Sequence, residues 1–350
     1  MLVIVHHLAI TYGASGSWYF RDPAAPDSFG LSILAGLDQA FFMGLFFFVS
    51  GYFTPHSLER KGAARFLADR AVRLLVPALL FAIVIAPGLE YVKRTSLDLP
   101  TPPLLAYYPE RLADLRELDP GPLWFVWALF LFDVGYVGVR ALVPPRAPTA
   151  RRLAWSGLAA LAGMIAILTI AVRARWPIGE NVLRIQVAYV PQYVLLFAAG
   201  IAAARRRSLD ELPAHLGWVG GLGAVLGFAT WLVAGHIAEG RVNLLIGGIG
   251  PPAMLYAVGE SLLCVGISIA LVVGFQRRAW TSGPISSAVA DGAFATYVLH
   301  APVIVVLALV LACLAAPPLV KLALAVTLAM PCCFAFGILA HRTPVLRRIL

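Results

Sequence analysis

Long apolar runs recur along the chain, and short polar stretches rich in Arg, Pro and Gly separate them. An apolar run of about 20 residues is what an α-helix needs to cross roughly 30 Å of hydrocarbon. Helix boundaries are marked by Pro or Gly before a run, or by a charged cluster at its end. On these marks the sequence predicts spans near Leu31–Thr54, Leu74–Tyr91, Pro122–Val143, Leu153–Val172, Val187–Ala204, Leu216–Ile237, Ala253–Gly274, Asp291–Leu314 and Val320–Ile338. The opening segment MLVIVHHLAITY, Met1–Tyr12, makes ten. It rises only about 18 Å as a helix, so the first span is expected to be N-terminally truncated, with its natural start upstream of Met1. The pair Ser50–Gly51 is expected to interrupt the second span, and SLERKGAARFLADRAVR to form a basic turn after it.

Composition turns this pattern into a fold class. The chain of 350 residues is 60% hydrophobic and 13% charged, against roughly 45–50% and about 25% in soluble domains. It is therefore expected to be an all-α integral membrane protein, a single bundle of about ten transmembrane helices. Residues 1–350 are expected to form one domain, because neither of the longer polar segments, Gly13–Gly30 and Tyr91–Gly121, can build its own core. The net charge of +9 could suggest nucleic acid as a partner. Its distribution argues instead for membrane topology. With the first helix running inside to outside, the inner loops collect Arg60, Lys61, Arg65, Arg70 and Arg73; Arg140, Arg146, Arg151 and Arg152; Arg205–Arg207; Arg277 and Arg278; and Arg342, Arg347 and Arg348. That bias places both termini in the cytoplasm. Trp18, Trp124, Trp176, Trp231 and Trp280 are expected near the two interfaces. Gly217, Gly220, Gly221, Gly223 and Gly227 give one helix a small-residue face suited to close packing.

An ionisable side chain inside a span is costly and needs a reason. Five stand out: His6 and His7 in the first segment, Asp133, Glu260 and His300. The acids and His300 either pair as buried polar glue or take part in chemistry. Neighbouring helical positions differ by about 100°, so His6 and His7 face different partners. A neutral imidazole suits general-base work on a hydroxyl. A metal site is not expected, since the histidines lack the i, i+3 or i, i+4 spacing that puts two ligands on one face, and the four cysteines show no metal-type spacing. Arg70 and Arg73 stand i, i+3 and share a helical face. They serve either as an inner-leaflet anchor or as a clamp for phosphates, which the planar guanidinium fork suits.

The segments VIVHHLAITYG, FFFVSGYFTPHSLERKGAARFLADRAVRLLVPALLF, GPLWFVWALFLF and FATYVLHAPVI together resemble the multi-span acyltransferase-3 family. That family includes bacterial O-acetyltransferases of surface polysaccharides and glucan succinyltransferases. The resemblance covers most of the chain and is densest before residue 140. It implies a catalytic histidine at His7, with His6 as its neighbour. The family's basic residue, about three helical turns earlier, falls upstream of Met1. Arg70 and Arg73 match its RxxR element, associated with acyl-CoA binding. Ser50 and Gly51 match a Ser-Gly element, Trp124 and Phe125 a Trp-Phe element, and His300 a late-helix histidine. The resemblance further implies a bacterial inner membrane and acyl-CoA, by default acetyl-CoA, as donor substrate, with no permanently bound cofactor. The acceptor is expected to be an extracytoplasmic carbohydrate hydroxyl, with Ser50 or Trp124 near the thioester oxygen. The alternative from another class is a proton-coupled transporter or flippase using Asp133, Glu260 and His300 as a relay. The sequence shows no inverted repeat or pair of broken helices, which such carriers often display.

Overall fold

The computed structural model describes residues 1–114, 118–143, 152–210, 212–278 and 283–350. Arg146, Arg151 and Trp280 lie outside the described residues. The described chain is almost wholly helical: α1 Leu2–Thr11, α2 Phe29–Lys61, α3 Ala63–Ser96, α4 Leu104–Ala113, α5 Trp124–Leu142 and α6 Trp155–Arg173 form the first half. The second half holds α7 Val190–Arg206, α8 Ala214–Ile237, α9 Pro251–Arg277, α10 Pro284–Asp291, α11 Ala293–Ala312 and α12 Pro318–Arg342. A two-residue antiparallel hairpin, Asn181–Val182 against Ile185–Gln186, lies between α6 and α7. Among the described residues nine helices are long and apolar enough to cross a membrane, and α1 is a shorter apolar helix. This is an all-helical, multi-span membrane protein, with the spans close to where the apolar runs put them.

Three details differ from expectation. First, Ser50–Gly51 does not interrupt its span, because α2 runs unbroken for 33 residues. At 1.5 Å per residue that is about 50 Å, more than the hydrocarbon thickness, so its basic end at Arg60 and Lys61 extends beyond it. Gly51 is there for packing: a Cβ on it would stand 2.2 Å from the Phe197 carbonyl oxygen of α7, and one on Gly200 would stand 2.1 Å from that of Phe48. Second, the basic stretch after it is helix rather than turn, broken only at Gly62, whose φ of +75° favours glycine. Third, α3 starts before Leu74 and contains two π-helical turns, Ala71–Leu75 and Phe81–Ile85. Each turn is followed by a proline, Pro77 or Pro87. Proline lacks the N–H for an i→i−4 bond and crowds the carbonyl four residues back, and the wider π-turn relieves both.

The chain divides into two compact units. The first comprises Met1–Asp38, Ala68–Phe130 and Thr281–Leu350. Its core joins Ile4, Leu8 and Tyr12 of the first segment to Ile304 and Leu311 of α11 and to Ala325, Ala329 and Cys333 of α12. The segment after α1 folds back at Gly13, where φ is +129° and a Cβ would meet the Pro26 oxygen at 2.4 Å. A buried ion pair holds this segment, with Lys321 Nζ 2.9 Å from Asp22 Oδ2, while the Asp22 N–H donates to the Thr11 carbonyl.

The second unit comprises Gln39–Leu67 and Leu131–Trp280. Ala162 and Ile165 of α6, Leu196 of α7, and Cys264 and Val265 of α9 form one of its cores. The glycine face of α8 packs on α9 as its composition suggests: Cβ atoms on Gly220 and Gly227 would each lie 2.7 Å from the Gly266 and Gly259 carbonyl oxygens. Without a strong hydrophobic drive between helices in lipid, such close backbone contact is what holds them. Gly221 meets nothing within 4 Å and lies off this face.

Candidate active site

In the first unit, α1 is short and apolar, and it puts its two histidines on different faces, the rings 5.3 Å apart and at 85°. His7 is the inward one. Its ring stacks on Trp18 at 3.7 Å and 14°, and lies 5.4 Å from the ring of His300 at 18°. Two imidazoles and an indole thus form one stack. The folded-back segment after α1 lays Trp18 over His7. The Asp22–Lys321 pair fixes the segment that carries it.

His300 is fully buried in α11. Its Nδ1 faces the backbone carbonyl of Tyr297. A carbonyl only accepts, so Nδ1 carries the proton and the lone pair of the neutral ring sits on Nε2. That Nε2, and the Nδ1 of His7, are sealed from solvent with no hydrogen-bond partner among the described residues. A buried polar atom without a partner is costly, and groups left in that state call for an explanation such as a bound substrate or water. The Tyr297 hydroxyl in turn donates to the Pro122 carbonyl, at the turn that opens α5 two residues before Trp124. Trp124 and Phe125 meet edge-on at 6.4 Å. The neighbouring Gly121 has φ of +50°, and a Cβ there would be 2.1 Å from the Tyr19 hydroxyl, so glycine is needed for the Trp18–Tyr19 segment to reach its seat. Burial, aided by Asp119 and Glu90, raises the pKa of the Tyr19 phenol well above its ordinary value.

His6 turns toward Asp38, with Nδ1 3.9 Å from Oδ2 and both side chains largely buried. Asp38 was not singled out from the sequence, although a lone acid in LSILAGLDQAFFMG meets the same criterion that marked Asp133. Arg70 ends the first α-helical part of α3, and Arg73 lies within its first π-turn. With i→i+5 bonding this turn is wider than an α-turn. Arg70 is half-buried and Arg73 exposed.

The other candidates belong to the second unit, and each has a local partner. Thr54 Oγ1 lies 3.2 Å from Oδ1 of the fully buried Asp133, and 2.8 Å from the Ser50 carbonyl one turn back in its own helix. Glu260 Oε2 lies 2.6 Å from an Arg173 Nη2, with both side chains buried. The Arg173 guanidinium also faces the Tyr189 ring at 4.9 Å and the Tyr256 ring at 6.0 Å, within reach for cation–π attraction. Glu260 therefore sits in a charge-compensated cage joining α6 to α9. Arg173 was missed because it closes its apolar run, where an arginine reads as an interfacial anchor. Lys321 was missed for the same reason at the start of α12.

These observations define a multi-pass helical membrane protein with a buried histidine pair. Comparison with known proteins then identifies its kind. The family model described as "Acyltransferase domain" matches residues 1–338, and the chain belongs to this acyltransferase-3 family. It is similar to Nodulation protein NolL of Mesorhizobium japonicum, 28% identical over 116 residues, which are 33% of this chain and 28% of that protein. It is also similar to Glucans biosynthesis protein C of Salmonella gallinarum, 28% identical over 155 residues, 43% of this chain and 38% of that protein. Each match thus spans well under half of the relative's length. No solved structure matches.

Proposed function

We propose that the protein is a membrane O-acyltransferase that moves an acyl group, acetyl by default, from acyl-CoA to a carbohydrate hydroxyl, with His7 as general base. The observation that carries this reading is the His7–Trp18–His300 stack, with two sealed ring nitrogens free to act on a substrate. Membership of an acyltransferase family supports the reaction class. Relatives named for nodulation and for glucan biosynthesis support a carbohydrate acceptor.

In this mechanism the acceptor hydroxyl hydrogen-bonds to a free imidazole nitrogen, which removes its proton as the oxygen attacks the thioester carbonyl. The resulting tetrahedral oxyanion needs donors already aimed at it, and the Trp124 indole N–H is the candidate from this unit. Collapse breaks the C–S bond; the CoA thiolate leaves and takes up the proton held by the imidazolium, which restores the neutral base. At 5.4 Å, two protonated rings would repel by about 3 kcal/mol at an effective dielectric of about 20, so the histidine pair holds one added proton at a time. His300, fixed through Tyr297, keeps its Nε2 lone pair toward the site and positions His7. Arg70 and Arg73 would take the phosphates of the donor from the cytoplasmic side, with both termini on that side of a bacterial inner membrane.

The carrier reading finds less support. Glu260 is already matched by Arg173, and a relay group must exchange its proton freely. The test is CoA release: purified protein in liposomes, given acetyl-CoA and a candidate glycan, should liberate free thiol, and His7→Ala should abolish this while remaining folded. Normal thiol release by that variant sinks the proposal, whereas flux of a substrate with no chemical change would support a carrier.

A further inference from the structure

A cavity that this mechanism does not use lies within the second unit, with a volume of about 310 Å³. Its wall is apolar: Leu158 and Leu161 of α6, Leu196 and Ala199 of α7, and Val265 and Ile269 of α9. Its position follows from the chain. Leu153 and Gly157 stand at the start of α6, Ala203 and Arg206 at the end of α7, and Val272 near the end of α9. All three helices therefore bring the same membrane-facing end to the cavity, the end where Arg205, Arg206, Arg207 and Arg277 cluster.

The mouth is a built structure. Arg207 takes a left-handed conformation with φ of +50° and its side chain bonds Asp210 at 2.8 Å. Gln276 donates to the Leu209 carbonyl at 2.6 Å, and Arg277 to the Leu212 carbonyl. These bonds hold Ser208 and Leu209 in the cavity wall. Of the arginines there, Arg205 pairs with Glu59 and Arg207 with Asp210. Arg206 lines the cavity, is exposed, and has no ion-pair partner among the described residues.

An apolar pocket open beside lipid, lined at its headgroup-level mouth by the exposed Arg206 with no ion-pair partner among the described residues, matches a molecule with a hydrocarbon tail and an anionic head. We propose that this cavity is a binding site for an anionic phospholipid, with one acyl chain lying between α6, α7 and α9 and the phosphate on Arg206. The volume holds on the order of ten groups of water size, and a methylene is of that size, so most of one chain fits. Burying each methylene contributes about 0.8 kcal/mol relative to water, but almost nothing relative to bulk lipid. The chain pocket therefore fixes the place, while Arg206 supplies the preference for a negative headgroup, as basic pockets between transmembrane helices do.

The test uses the full-length protein in phosphatidylcholine nanodiscs containing a trace of phosphatidylglycerol with a diazirine near the end of one acyl chain. Photolysis followed by peptide mass spectrometry should place adducts on the segments 157–164 and 196–203. A phosphatidylcholine probe of the same chain should label these segments several-fold less. Ala160→Trp, which fills the cavity, should cut the adducts several-fold, and Arg206→Gln should equalise the two probes. Arg206 is exposed, so its variant keeps the test informative even if the tryptophan variant misfolds. Equal labelling by both probes in the unmodified protein overturns the proposal. So does labelling no denser here than on lipid-facing α8 residues such as Leu222 and Val225, or an Arg206→Gln variant that retains the preference.

Discussion

Arg173 and Glu260 offer the sharpest separation of structural charge from working charge. Their atoms approach to 2.6 Å with side-chain exposures of 2% and 5%, so neither charge has water to fall back on. At that distance and an effective dielectric of about 20, the gross attraction is about 6 kcal/mol, most of it offset by the cost of taking both ions out of water. Removing one partner loses the attraction and keeps the other's desolvation cost. Arg173→Met or Glu260→Leu alone should therefore destabilise by about 3–5 kcal/mol. The double variant replaces the pair with apolar side chains and should lie within about 2 kcal/mol of the parent, giving a strongly non-additive cycle. The assay is reversible unfolding of the purified protein in mixed micelles, with acyl transfer measured beside it. Additive losses in the double variant would refute the ion-pair account. A double variant that is stable but inactive in transfer would refute the view that Glu260 has only a structural role.

Other expectations rest on shape. Gly51→Ala puts a Cβ against the Phe197 carbonyl and should cost about 1–3 kcal/mol in the same unfolding assay. Gly121→Ala meets the Tyr19 hydroxyl at a positive φ; it should destabilise by about 1–3 kcal/mol and lower transfer by displacing Trp18. Trp18→Ala removes a stacking contact of about 0.5–1.5 kcal/mol on His7, so transfer should fall roughly two- to tenfold, while Trp18→Phe should retain most of it. Equal activity in the alanine and phenylalanine variants would show that the stack does not orient His7.

The spans were legible because lipid imposes one simple demand, a run of apolar residues long enough to cross it, and the sequence states it openly. What happened inside a span was not. Ser50–Gly51 looked like a polar break, yet Gly51 lets α2 and α7 touch backbone to backbone, a fact held by Phe197 and Gly200 far along the chain. The π-turns of α3 follow from Pro77 and Pro87, which were visible but compatible with a plain kink. For the site, intramembrane ionisability drew attention to His7 and His300, and the structure stacks their rings. It could not reveal Trp18 over the His7 ring, because only the fold-back at Gly13 and the Asp22–Lys321 pair put it there. Arg173 and Lys321 went unnoticed because charge at the end of a span normally reaches water, and here the tertiary fold encloses it.

The proposed role of His7 in acyl transfer to a carbohydrate is tested most directly on surface glycans. Mass spectrometry of surface glycans should compare cells lacking the protein with cells producing either the parent or the His7→Ala variant at matched membrane levels. Acyl mass increments on the glycan should appear with the parent and be absent with the variant, as in cells without the protein. Equal acylation by the variant, or an unchanged glycan in all three, would contradict the account.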